Sequence, residues 1–107
     1  MSEKKASKKT AKRLKPSMAP VMYLDHDNKL YYIQVELPGV KKEDVTLEVS
    51  DSSMCVTGSR LDVDFLGCFV LTHVVDGDKA KAKFEDGLLS IEIPIKKILK
   101  GKKVPIE

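Results

Sequence analysis

The side chains with chemical reach in this chain are two histidines, two cysteines and a pair of aspartates, and none stands at a spacing that chemistry requires. His26 and His73 lie far apart in sequence, and Cys55 and Cys68 form no C-x-x-C pair, so no metal-ligand set emerges. Asp62 and Asp64 are two residues apart, as a general acid and base would be only if their surroundings separated their pKa values. No buried neighbour is evident to do that, and they read as part of a solvated loop. G-x-S-x-G, P-loop and dinucleotide fingerprints are missing as well. The expectation is no enzyme, with no catalytic, cofactor-binding or metal-binding residue.

Each cysteine falls inside an apolar, strand-like run, where a free thiol packs as a small hydrophobe. A disulfide framework in so small a chain would ordinarily need more of them. Free, structural cysteines and a reducing cytoplasm are therefore expected. No apolar run approaches membrane-spanning length, and no apolar segment follows the N-terminal charges as a secretory signal would need.

The net charge of +3 hides an asymmetry. Residues 1–20 hold seven of the nineteen basic side chains but one of the sixteen acids, so the remainder of the chain is net acidic. That segment offers only Leu14 and Met18 for burial, too little to offset the entropy of ordering it. It reads as a disordered basic arm. Lys4, Lys5, Lys8, Lys9, Lys12, Arg13 and Lys15 are candidates for non-specific, salt-dependent contact with a polyanion. The arm carries no aromatic residue to stack on bases, and a solubilising role is the simpler reading.

From Val21 onward the chain alternates with period two. Met22 and Leu24 lead into the polar turn Asp25–Asn28. Tyr31, Ile33, Val35 and Leu37 then share one face of a strand that Pro38-Gly39 ends. Val45, Leu47 and Val49 mark the next strand. Met54 to Thr57 follow, closed by Gly58, and Phe69, Leu71 and His73 mark another. Last, A-K-F-E-D-G-L-L-S-I-E-I-P (Ala82 to Pro94) sets two alternating arms about Asp86-Gly87, the pattern of a type I′ hairpin, with Pro94 stopping the second arm. Helical spacing appears only at Ile95, Ile98 and Leu99, too briefly for a packed helix. Short strands with regular turn signals predict an all-β sandwich over residues 21–95 and a flexible tail over 96–107.

At E-L-P-G-V-K-K-E-D-V (Glu36 to Val45), at Gly58-Ser59-Arg60, at Val75 to Lys79 and at the Asp86-Gly87 hairpin, the chain resembles the α-crystallin domain of small heat-shock proteins. Val104-Pro105-Ile106 resembles that family's C-terminal anchor. The resemblance implies a compact immunoglobulin-like β-sandwich and an oligomer-forming holdase that binds partly unfolded proteins without ATP, its tail docking in a groove of a neighbouring subunit. Two strands, Val45, Leu47, Val49 and Ala80, Ala82, Phe84, are the expected groove walls.

The anchor also has a physical logic of its own. In an extended tail Val104 and Ile106 project to one side, and burying each yields roughly 1.5–3 kcal/mol. Association costs at least ~4 kcal/mol, so one tail binds weakly and several are needed.

The chain departs from the family at several points. Only Leu61 to Leu66 separate Arg60 from Gly67, roughly 20 Å of chain at most, too short for a loop carrying an exchanged strand to a partner. Gly67 stands where the family often has an interface arginine, and the N-terminal segment is lysine-rich where the family's is hydrophobic. The leading expectation is a cytoplasmic holdase with unfolded clients, self-associating through its tail. The alternative is an adaptor resembling the CS-domain co-chaperones, monomeric and bound to a folded ATPase.

Overall fold

Most alternating segments become strands in the computed structural model, which describes residues 15–107. The strand expected at Phe69, Leu71 and His73 does not form, because Phe69 joins the strand that begins at Val63 and Leu71 to His73 make the irregular link to Val74. The order is β1 (Ser17–Met18), β2 (Val21–His26), β3 (Leu30–Glu36), β4 (Val45–Ser50), β5 (Ser53–Arg60), β6 (Val63–Val70), β7 (Val74–Val75), β8 (Lys81–Glu85) and β9 (Leu88–Lys97). Two single 3₁₀ turns, Lys42–Asp44 and Gly77–Lys79, are the helical pieces among the described residues. One sheet runs β1-β6-β5-β4. The other runs β2-β3-β9-β7, with β8 also paired to β9. Their inner faces meet over Tyr31, Ile33 and Val35 of β3, Met54 and Val56 of β5, Val63 and Phe65 of β6, and Leu89, Ile91 and Ile93 of β9, all buried. This is the expected β-sandwich. Burial of such side chains at roughly 1.5–3 kcal/mol each, without any tryptophan, supplies its cohesion.

The Asp86-Gly87 turn has φ of 51° and 78°, as a type I′ hairpin requires, with Glu85 opposite Leu88 and Phe84 opposite Leu89. Pro94 does not end its strand. β9 continues to Lys97 because Pro94 sits where the strand changes partners: Leu30 of β3 faces Pro94, and Val75 of β7 faces Ile95. The missing N–H is not needed there, and the Pro94 carbonyl still accepts from Asp76 N–H at 2.9 Å. Gly58 likewise does not close its strand but lies within β5, opposite Val45 and Phe65. A Cβ there would meet Leu37 Cδ2 at 3.2 Å and Val40 Cγ1 at 3.4 Å, so the bare backbone lets those two side chains seat.

The connection after Arg60 is shorter than expected. Leu61-Asp62 alone form the turn, and Val63 to Leu66 already belong to β6, with Val63 and Phe65 in the core. Asp64 is therefore a strand residue, not a loop residue. Cys55 and Cys68 are not free thiols. They face each other across β5 and β6 and are joined by a disulfide, with Cα atoms 4.1 Å apart, near the close spacing of a non-hydrogen-bonded antiparallel pair. The expectation failed because strand alternation points both cysteines outward, away from the core they were expected to fill.

Residues 15–20, the last of the basic segment, lie against the sandwich. Ser17–Met18 pair in parallel with Asp64–Phe65, and Asp64 N–H donates to the Pro16 carbonyl at 2.9 Å. The edge of β6 carries unpaired backbone groups, and this short strand satisfies some of them. Residues 1–14 are outside the described part.

Candidate functional site

On one side of the sandwich the edges β4 and β8 belong to different sheets and leave a gap between them. Along β4 the alternation is half-buried against exposed: Val45, Leu47 and Val49 point inward but, lacking a further strand, stay partly open. Opposite them the 3₁₀ turn Gly77–Lys79 and Ala80, just before β8, close the other wall. The turn is held by its own cap, Asp76 Oδ1 accepting from Asp78 N–H at 3.2 Å. Between the walls lies a cleft of about 350 Å³ that brings together Leu47 and Val49 with Val75, Gly77 and Ala80. A Cβ on Gly77 would lie 3.3 Å from both Val49 Cγ1 and the Val49 carbonyl, so the walls touch at this end. Of the six residues expected to form the walls, Leu47, Val49 and Ala80 line the cleft. Val45 and Phe84 pack against the core further along the edges, and Ala82 is exposed on β8. Ser50, Asp51, Asp76, Asp78 and Lys96 rim the cleft with polar groups.

The tail does not fill its own groove. Val104 is 77% exposed, Ile106 97%, and Pro105 is exposed between them. The residues expected to anchor thus stand free, and the groove expected to receive such an anchor is open.

The motifs that carried the family resemblance converge at one end of the sandwich. Leu37 N–H donates to the Gly87 carbonyl at 2.7 Å, tying the strand before Pro38 to the hairpin tip. Arg60 donates to the Pro38 carbonyl and to Asp62 Oδ1 at 2.8 Å, with its guanidinium 5.5 Å from the Phe65 ring centroid. Gly39 turns there with φ of 78°, and a Cβ on it would meet Arg60 Nη1 at 3.0 Å. These residues clamp turns; they line no part of the groove. Gly67, where an arginine was a family expectation, faces inward under Met22 and Pro20, with a Cβ only 2.7 Å from Met22 Cε. A side chain there would have to displace the end of Met22 and press on Pro20.

The residues with chemical reach are placed as follows. Asp62 pairs with Arg60, and Asp64 with Lys15 at 3.1 Å, so the two carboxylates serve separate partners. Hydrogen bonds from Ser59 and Lys15 hold the Asp64 carboxyl below its ordinary value. Lys15 also donates to Ser59 at 2.8 Å, so this member of the basic series is engaged within the chain. Lys4, Lys5, Lys8, Lys9, Lys12 and Arg13 lie outside the described residues. The two histidines, remote in sequence, come together with ring centroids 5.1 Å apart. Among the described residues no group of three His, Cys, Asp or Glu side chains is clustered to hold a metal ion.

Two features escaped the sequence. A concavity of about 510 Å³ lies on the outer face of the β2-β3-β9-β8 sheet, between Tyr23 and Tyr32 on one bank and Lys81 and Lys83 on the other. Both tyrosines occupy outward positions of alternating strands, and that was the available signal. At the β2–β3 turn, Asp27 Oδ1 accepts from Lys29 and Leu30 N–H at 2.7 and 2.8 Å, and Tyr32 Oη donates to Oδ2 at 3.1 Å. These donors lower the Asp27 pKa, and the same bond raises that of Tyr32.

Similarity to known proteins agrees with this geometry. Heat shock protein 16.0 from Schizosaccharomyces pombe superposes with a TM-score of 0.67 at 24% identity, over 83% of this chain and 98% of that one. A small heat-shock protein from Xylella fastidiosa gives 0.63 at 18% identity, over 83% and 96%. At these identities the likeness is one of fold. In sequence, small heat shock protein C4 of Rickettsia felis is 28% identical over 83% of this chain. The chain spans 64% of that relative's length. A probable 15 kDa heat shock protein of Leptospira interrogans is 26% identical over 90% of this chain and 85% of its own. The profile of one family matches residues 23–107, from β2 through the open groove to the free tail. The chain belongs to the Hsp20/alpha crystallin family.

Proposed function

We propose that this protein is an ATP-independent holdase that captures partly unfolded chains and assembles through its C-terminal tail. The observation that carries the reading is the open, polar-rimmed cleft between β4 and the Val75–Ala80 segment, with Leu47, Val49 and Ala80 along it, beside an anchor that leaves Val104 and Ile106 exposed. An extended segment laid along either edge would add backbone hydrogen bonds to an unpaired strand and insert alternate side chains over Leu47, Val49 and Ala80. The same chemistry serves the tail of a neighbouring copy and a client segment, so the two compete. No covalent step and no cofactor enter.

Cytoplasmic action is the placement the family favours. The Cys55–Cys68 bond removes the free-thiol argument for it. Among the described residues no helix is long and apolar enough to cross a membrane.

The deciding experiment heats an aggregation-prone client with increasing amounts of the protein and follows turbidity. Suppression near stoichiometric ratio supports the holdase, and unchanged aggregation at several-fold excess refutes it.

The adaptor reading has one observation in its favour, the two-residue Leu61-Asp62 turn, which leaves no exchange strand between β5 and β6. A monomeric mass at micromolar concentration, together with no client protection, would favour it. Contact of the basic arm with nucleic acid would be non-specific and would vanish as salt rises.

A further inference from the structure

The C-terminal tail leaves the sandwich at Lys97, the end of β9. Beyond that point one hydrogen bond holds it among the described residues: Leu99 N–H donates to His73 Nδ1 at 3.0 Å. A backbone N–H can only donate. His73 Nδ1 must therefore be bare, with the ring proton on Nε2. The histidine is 8% exposed, and its own N–H donates to Tyr31 Oη at 3.0 Å, which ties it to a core residue. One nitrogen of a buried imidazole thus holds the start of the tail.

We propose that His73 is a proton-operated latch on the tail. Protonation of Nδ1 sets a second donor against Leu99 N–H, and two donors cannot share one hydrogen bond. Histidine is the side chain that ordinarily changes charge between pH 5 and 8.

Among the described residues no carboxylate pairs with the ring. From β2 the ring of His26 meets it edge-on at 5.1 Å, a second imidazole that adds repulsion when charged. Asp25 and Asp27 flank His26 but are engaged there, Asp25 by His26 N–H and Asp27 by Lys29, Leu30 and Tyr32. From β3 comes Tyr31, with its ring centroid at 6.2 Å. Asp51, in the β4–β5 turn, meets the neighbouring Val75 through its backbone carbonyl. From β9 and the tail come Lys97, opposite Val74, and Lys100, both positive. No ion pair among the described residues involves His73. A proton arriving there is accommodated by letting the tail go.

The consequence for assembly rests on the anchoring reading above. Held at Leu99, the tail can place Val104 at most about 17 Å away; released at Lys97, about 24 Å. Acidification would therefore lengthen and loosen the tether between subunits.

The test itself does not depend on anchoring. In the ¹⁵N-labelled full chain at pH 7.5, imidazole nitrogen shifts should report the Nε2-H form of His73. The protection factor of the Leu99 amide should fall roughly 2- to 10-fold between pH 7.5 and 5.5, the range for loss of one hydrogen bond. His73→Gln keeps an acceptor that cannot titrate and should flatten that profile, whereas His26→Gln should preserve it. An Nδ1-H form at pH 7.5, a pH-independent Leu99 amide, or a response that survives in His73→Gln or vanishes in His26→Gln would overturn the latch.

Discussion

Ile106→Ser separates assembly from folding. Ile106 is 97% exposed in the single chain and packs on nothing, so the substitution should leave intrinsic stability within about 0.5 kcal/mol of the wild type. If the side chain is buried in a neighbour's groove, each docked tail loses roughly 1.5–3 kcal/mol, a factor of about 10 to 150 in the docking constant. The gain from the remaining Val104, at most about 3 kcal/mol, no longer covers an association cost of at least ~4 kcal/mol. Multi-angle light scattering across a micromolar dilution series should show the variant dissociating at concentrations where the wild type remains assembled. Denaturant unfolding of the dissociated chains should give matching midpoints. Equal masses for the two proteins throughout, or a wild type that is monomeric at every concentration, would refute anchoring. A parallel fall in stability would show instead that Ile106 packs within its own chain.

Gly87→Ala forces a side chain into a residue with φ of 78°, with its Cβ 3.3 Å from Pro38 Cα and 3.4 Å from the Leu37 carbonyl. A loss of about 1–2 kcal/mol is expected by circular-dichroism melting, while Gly101→Ala, which meets nothing within 4 Å, should be neutral. Reduction of Cys55–Cys68 should lower stability by about 2–3 kcal/mol, the loop-closure expectation for a separation of 13 residues. Alkylation of the unreduced, unfolded protein should find no free thiol, and two labelled cysteines would contradict the bond. Asp27 and Asp64 have folded-state pKa values below the ordinary 3.8, so their contribution is present above that value and is lost as pH falls through the lower folded values. Urea midpoints should therefore drop below pH 4, and the drop should be smaller in the Asp27→Asn/Asp64→Asn double variant.

How much could be read without coordinates depended on whether the signal was local. The type I′ hairpin at Asp86-Gly87 was legible because positive φ at two successive residues is a local demand that few residue pairs meet. The core faces of β3 and β9 were legible because alternation over seven residues has one burial solution. Family resemblance marked Val104, Pro105 and Ile106 as the proposed anchor, and the strand candidates Leu47, Val49 and Ala80 were the ones that came to line the cleft.

Tertiary structure decided what depends on strand partners. Pro94 and Gly58 look like strand ends in sequence and are strand interiors, because one sits where β9 changes partners and the other makes room for Leu37 and Val40. Cys55 and Cys68 looked like core thiols until the β5–β6 register set them face to face on the outer surface. His26 and His73, 47 positions apart, become neighbours only when β2 and the segment before β7 pack together. A sequence alone determines which faces must be buried, since that follows from polarity and period. Which residue meets which across strands follows from register and packing, and there the disulfide, the open groove and the hold of His73 on the tail arise.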